Sequence, residues 1–301
     1  LTGFSRRSRG GIFRSDINST RVTSAALGGD NVACDLHTHS RYSFDGSASL
    51  EAMSRSAVEH GLQIIATTDH CDMTNGVEGF RCYLACEQKR QREYEAVKDM
   101  FQGLELLYGL EIGNPMDLPE ETKRIMADRK FDFVIGGLHF LSDGSDIYKM
   151  DFPDEESIDR MFQDYFTHMA RMAAYGGFDS LAHLDYPLRV LKGKVSTPPS
   201  VKTYRELVDP ILKEIVRSDI ALEVNTRGAY DWQKRVGPED WVLNRYRELG
   251  GRLVTIGSDA HAPQWVGAGF DLAAEALQRA GFDSYTIYRK RKPYQIPLVG
   301  T

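Results

Sequence analysis

The sequence predicts an α/β barrel, because short apolar or β-branched runs alternate with longer amphipathic segments in the rhythm of βα units. Two further observations agree. A chain of 301 residues suits one large barrel or two modest domains, and no internal repeat or Pro/Ser-rich linker divides it. Six of its eight histidines fall at the ends of the strand-like runs, where a parallel barrel gathers distant residues at one rim.

Strands are expected at 32–36, 62–68, 105–112, 132–138, 179–184, 220–226 and 252–258. Helices are expected near 49–60, 81–102, 119–129, 155–175, 201–218, 238–249 and 271–280. Ser49, Pro119 and Pro238 mark helix starts, and the glycine pairs at 176–177 and 250–251 mark helix ends. Segments 142–153 and 186–200 break the rhythm and are expected as loops over one face.

Composition narrows the class. Hydrophobic residues at 42%, charged residues at 27% and 11 prolines exclude a disordered, collagen-like or coiled-coil chain. No apolar run reaches the roughly 18 residues of a membrane helix, so a soluble, cytoplasmic protein without a membrane partner is expected. Cys34, Cys71, Cys82 and Cys86 form no CxxC pair and are expected as reduced thiols, Cys34 and Cys71 facing away from the strand-end donors. The net charge of −6 hides basic ends: residues 1–30 carry +3 and 284–301 carry +4, leaving −13 between them. Residues 1–30 are expected as a flexible basic leader or appended tail, and 31–301 as one barrel domain. So acidic a body repels a phosphate backbone, so no nucleic-acid polymer is expected as partner.

His37 and His39 follow the first strand, His70 the second, His139 the fourth, His183 the fifth and His261 the seventh. Carboxylates join them: Asp45 and Asp69, Glu111 ending the third strand, Glu223 in the sixth, and Asp259 after the seventh. Clustered imidazoles and carboxylates leave buried lone pairs and like charges unsatisfied unless a divalent cation neutralises them. In His37-Thr38-His39 the two rings share one face of an extended segment, and Asp259-Ala260-His261 repeats that spacing. Since one ion takes three or four protein ligands, the inventory implies two or three ions, zinc, manganese or iron. Paired ions clamp phosphoryl transfer, so hydrolysis of a phosphate ester is the expected reaction class.

The motifs DLHTHS and SFDG at 35–46, TTDH at 67–70, GLEIG at 109–113, GGLHF at 136–140, AHLDYP at 182–187, EVNTRG at 223–228 and GSDAH at 257–261 resemble the PHP (polymerase and histidinol phosphatase) superfamily, in its histidinol-phosphatase branch. The resemblance spans Asn31 to about Leu298. It implies a distorted (β/α)7 TIM-like barrel with a metal site at the C-terminal rim of the strands. It further implies His37, His39, Glu111 and Asp259 on one ion and Glu111, His139 and His183 on a second, Glu111 bridging. His70 and His261 would hold a third, with Asp45 where some relatives carry a histidine. Asp35 and Asp69 would accept from ligand imidazoles and fix their tautomers.

The expected activity is metal-dependent hydrolysis of L-histidinol phosphate, a phosphoric monoester hydrolase reaction of histidine biosynthesis, by attack of metal-activated hydroxide. Glu111, Asp259 and Asp69 are the candidate catalytic groups, Asp69 as a candidate acid. Arg189 and Arg227 would bind phosphate, while Asp185 and the acids of 143–151 would meet the substrate's cationic part. Three alternatives stand beside this reading. They are a PHP phosphoesterase for nucleotides or another small monoester; an amidohydrolase, for which the fourth strand offers His139 in place of a bridging lysine; and a metal-dependent scaffold that has lost catalysis. Oligomeric state is not legible.

Overall fold

Eight short parallel strands are buried on both faces, as near-continuous apolar runs such as Ile64–Ala66 and Phe133–Ile135 dictate, and they build the core. In the computed structural model, which describes residues 33–298 except 75, 129 and 153, these are β1 (Cys34–Thr38), β2 (Ile64–Thr67), β3 (His70–Asp72), β4 (Glu105–Gly113), β5 (Phe133–Gly137), β6 (Ser180–Leu181), β7 (Ala221–Asn225) and β8 (Val254–Gly257). The expected leader, 1–30, lies outside the described residues. The strands run in the order β1-β2-β4-β5-β6-β7-β8, and β3 adds to β4. A Thr38–Ala260 bridge joins the last strand's exit to β1, with the Asp259 N–H donating to the His37 carbonyl at 2.8 Å. The distorted seven-stranded barrel of the sequence reading is therefore the architecture found.

The helices are α1 (Leu50–Glu59), α2 (Glu78–Val97), α3 (Pro119–Met126), α4 (Glu155–Tyr175), α5 (Tyr186–Val190), α6 (Arg205–Arg217), α7 (Arg227–Tyr230), α8 (Asp240–Glu248) and α9 (Phe270–Arg279). Local chemistry explains their bounds. Ser49 caps α1, its Oγ accepting from Ala52 N–H at 3.1 Å, and Pro119 opens α3. Ile158, Met161, Phe162, Tyr165, Phe166, Met169 and Met172 form the buried stripe of α4, and Gly176 ends it at a φ of 67°. None of the described helices is long and apolar enough to cross a membrane.

Two features depart from the sequence expectation. The second strand, expected over 62–68, stops at Thr67 and resumes as β3 in unchanged register on β4: Thr67 pairs with Tyr108, and His70 with Glu111. At the interruption, the carbonyls of Thr67 and Gly109 accept from the guanidinium of Arg90, which is buried under the sheet. The chain also continues past α9 into an antiparallel hairpin, β9 (Ser284–Arg289) and β10 (Lys292–Pro297), that no expected element covers. The 186–200 segment begins with α5, and 142–153 holds a helical turn at Ile147–Lys149. Lys194 ties the two segments together, its Nζ donating to the carbonyls of Tyr148 and of Met150, the latter at 2.6 Å.

Candidate metal centre

Strand register assembles the centre. Glu111, near the C-terminal end of β4, lies opposite His70 on β3 and Ile135 on β5. The other donors leave the same ends of their strands: His37 and His39 around the end of β1, His139 past β5, His183 past β6, Asp259 and His261 past β8. His37, His39 and Glu111 are wholly buried. Space is made by missing side chains. A Cβ on Gly137 would stand 2.7 Å from Glu111 Oε1, and one on Gly257 would stand 2.5 Å from Glu223 Oε1. Asp259 holds a left-handed φ of 53°, rare outside glycine, and so turns its carboxylate inward.

The carboxylate of Glu111 is the hub. Its Oε1 lies 2.9 Å from His183 Nε2 and 3.3 Å from His139 Nε2, and these two nitrogens are 3.5 Å apart. Its Oε2 lies 3.4 Å from His37 Nε2 and 3.5 Å from His39 Nε2; Asp259 Oδ1 completes that set at 4.0 and 3.4 Å from the same nitrogens. Beside them, Asp45 reaches His261 Nε2 at 3.0 Å and His70 Nε2 at 3.7 Å. Ligands around a tetrahedral zinc at about 2.0–2.1 Å stand about 3.3 Å from one another. The donor spacings fit such ions, and the chemistry of the orphans agrees: His37 Nε2, His39 Nε2, His261 Nε2 and Glu111 Oε2 are buried without a hydrogen-bond partner. Buried polar atoms left so cost about 1–3 kcal/mol each, which a cation removes.

Burial lowers the His37, His70 and His139 rings, but the facing carboxylates outweigh it and push all three well above the ordinary imidazole range, so an ion binding there would displace protons. Burial opposes ionisation of Glu111, but His70, His37 and His139 hold its carboxyl well below the ordinary range. Asp259 is also buried and is held low by Arg189 and the facing imidazoles. Burial, with the neighbouring His261 and His70, pushes His39 down to about 3, leaving its ring neutral as a ligand requires.

The carboxylates behind the imidazoles are not the ones expected. Asp35 accepts from Ser258 N–H, Ser258 Oγ, Gly267 N–H and His37 N–H, joining β1 to the exit of β8, and burial raises it to about 6. Asp69 accepts from Ser40 N–H and Oγ, Ser43 Oγ, Thr67 Oγ1 and Arg90 Nε. Neither touches a ligand ring. Asp69, enclosed by donors, is also unsuited to the acid role the sequence reading gave it. The imidazole partners are instead Glu223, 2.6 Å from His37 Nδ1, and Asp72, 2.7 Å from His139 Nδ1. Each carboxylate accepts the Nδ1 proton and leaves Nε2 to face the centre. Ser43 lies 3.1 Å from His39 Nδ1, and the Asp259 carbonyl 2.9 Å from His261 Nδ1. A carboxylate at the end of a strand that is not itself a ligand is the signal these residues carried.

Arg189 and Arg227 both reach the centre. Arg189 Nη1 donates to Asp259 Oδ2 at 2.8 Å, and Arg227 Nη1 to the Asp259 carbonyl at 2.6 Å. A narrow cleft, lined among others by His183, Asp185, Tyr186, Arg189, Arg227 and Asp259, opens beside them. Cys34 and Cys71 are buried in the core among apolar side chains, and burial pushes the Cys34 thiol up to about 12.

Residues 35–227 match the PHP domain. The chain belongs to the PHP domain family. Within that family it is 32% identical to a probable histidinol-phosphatase of Clostridium acetobutylicum, over 81% of this chain and 92% of that protein. It is 29% identical to a probable histidinol-phosphatase of Thermotoga maritima, over 85% and 96%. Among solved PHP structures, the histidinol phosphate phosphatase of Lactococcus lactis, crystallised with zinc, L-histidinol and phosphate, superposes with a TM-score of 0.70 at 23% identity, covering 87% of this chain and 98% of that one.

Proposed function

We propose that this barrel is a phosphatase that hydrolyses L-histidinol phosphate to L-histidinol and phosphate, using two or three divalent ions held by His37, His39, Asp45, His70, Glu111, His139, His183, Asp259 and His261. The observation that carries the reading is the Glu111 carboxylate shared between two donor sets, with two guanidinium groups on the Asp259 side. The relatives named histidinol-phosphatase, at up to 32% identity over nearly their full lengths, support the substrate. Zinc in the Lactococcus structure supports the metal class.

Divalent ions at such a centre polarise phosphoryl oxygens and acidify water. The chain's own groups do the rest. Glu111, kept ionised by its imidazole neighbours, splits its two oxygens between donor sets and fixes their separation. Arg189 commits one N–H to Asp259, leaving the rest of its fork for phosphate oxygens, and Arg227 offers a second cation at the same edge. Asp185, buried in the cleft wall, presents a carboxylate to the ammonium or imidazole of the substrate. The barrel domain, 31–301, works in the cytoplasm on a small phosphate ester, and none of its four cysteines forms a disulfide.

The test is a substrate panel on metal-analysed protein: L-histidinol phosphate, nucleoside monophosphates and p-nitrophenyl phosphate. Histidinol phosphate is expected to have the highest kcat/KM. Nucleotides turned over orders of magnitude faster would overturn the substrate while leaving the centre intact.

A further inference from the structure

Arg90, on α2, is 1% exposed and lies outside the metal centre. Its Nε donates to Asp69 Oδ2 at 2.9 Å, its Nη2 to the carbonyls of Thr67 (3.0 Å) and Gly109, and its Nη1 to Glu87 at 3.2 Å. Its guanidinium plane lies over the ring of Tyr108, 4.3 Å from the centroid. Such a fork, with four of its five N–H groups committed and the guanidinium over a ring, has one orientation. It therefore fixes where the Asp69 carboxylate points.

Proton counting carries that orientation into the centre. A serine hydroxyl has one proton and two lone pairs. Ser43 Oγ lies 2.9 Å from Asp69 Oδ1, an acceptor only, so the proton goes there. One lone pair accepts the His70 backbone N–H at 3.2 Å. The other faces His39 Nδ1 at 3.1 Å, and an oxygen with no proton left can only accept from that nitrogen. His39 is thereby committed to the Nδ1–H tautomer, and its Nε2 lone pair points at Glu111 and Asp259. A tautomer is ordinarily set by a single neighbour. Here it is set three links away.

We propose that Arg90 is a positioning residue of the metal centre: through Asp69 and Ser43 it fixes the tautomer and ring orientation of His39 and so tunes the affinity of the ion that His39 holds. The proposal rests on His39 being a metal ligand, and it concerns a residue that touches neither metal nor substrate.

The experiment is a zinc titration against a chromophoric chelator for the wild type, Ser43→Ala, Arg90→Lys and the double variant, with circular dichroism melts to show that each is folded. Lysine keeps the charge but, with three donors on one atom and no planar fork, cannot serve Asp69, Glu87 and the two carbonyls together. Each single variant should weaken one zinc-binding step by about 10- to 100-fold and leave the other steps within about twofold. The double variant should be no weaker than the weaker single, since both cut one chain. Should Arg90→Lys not fold, Asp69→Asn takes its place in the cycle. Wild-type affinity in folded Ser43→Ala, or additive losses in the double variant, overturns the proposal. A wild type that takes up no zinc removes the ligand assignment beneath it, a distinguishable failure.

Discussion

At the N-terminal end of the barrel, the carboxylates of Glu105, Asp132 and Asp179 have each found a protein partner. Arg289 grips Glu105 with two bonds of 2.6 Å, Arg291 pairs with Asp179 at 2.5 Å, and the Lys290 N–H donates to the Asp132 carboxylate while the Arg291 N–H donates to the Asp132 carbonyl. The β9–β10 hairpin supplies all of these basic groups. At the C-terminal rim, the same strands end in imidazoles and carboxylates that point at one another with buried atoms unpaired. One end is finished by the chain itself, and the other is finished only by a cation. Stability is concentrated where charges are satisfied and function where they are left open, the division of labour general to barrels of this kind.

Substitutions at the two ends should therefore separate activity from stability. The largest expected effect is at the hub. Glu111→Gln keeps the shape but removes the charge that faces both donor sets, so kcat should fall by about three orders of magnitude or more. Metal content, measured by elemental analysis, should fall with it; near-normal kcat would refute the shared role. Arg189→Ala and Arg227→Ala should each lower kcat/KM by about 100-fold, roughly 2.7 kcal/mol, since each removes a charge-assisted donor. Unchanged steady-state constants in both would take them out of the site. Removing metal with a chelator should restore the orphaned atoms and the imidazole crowding at the rim. A loss of about 3–4 kcal/mol, or roughly 10 °C in Tm, is expected by calorimetry, and an unaltered melt would mean the rim does not need a cation. Arg291→Ala at the opposite end should cost about 1–3 kcal/mol of stability by leaving the buried Asp179 carboxylate without its cation, with only the Val134 N–H donating to it. It should leave kcat/KM and metal content unchanged.

How much of this was legible in the sequence follows the same division. Barrel and donors could be read because each ligand sits at the end of its own apolar run, and parallel strands bring such ends together whatever their detailed register. The partners behind the rings could not. Asp72 reaches His139 only because β3 resumes in register after a break, and that break depends on Arg90, from a helix later in the chain. Glu223 stood out as a strand carboxylate, but whether it faces His37 depends on the twist that closes β8 onto β1. Asp35 and Asp69 flank ligand motifs in sequence yet meet backbone N–H groups, hydroxyls and, for Asp69, the Arg90 guanidinium instead of a ligand ring. The hairpin escaped for another reason. Its turn places Lys290 and Arg291 at φ values of 50° and 63°, where Asn-Gly is the usual signal, so two charged residues there carry no hairpin signal.

The central claim is that cations hold the strand ends together, and the most direct measurement is anomalous X-ray diffraction from crystals of the active protein grown without chelator. The account predicts at least two peaks, one among His37, His39, Glu111 and Asp259 and one among Glu111, His139 and His183. Full activity in crystals whose maps contain no anomalous scatterer at Glu111 would contradict it.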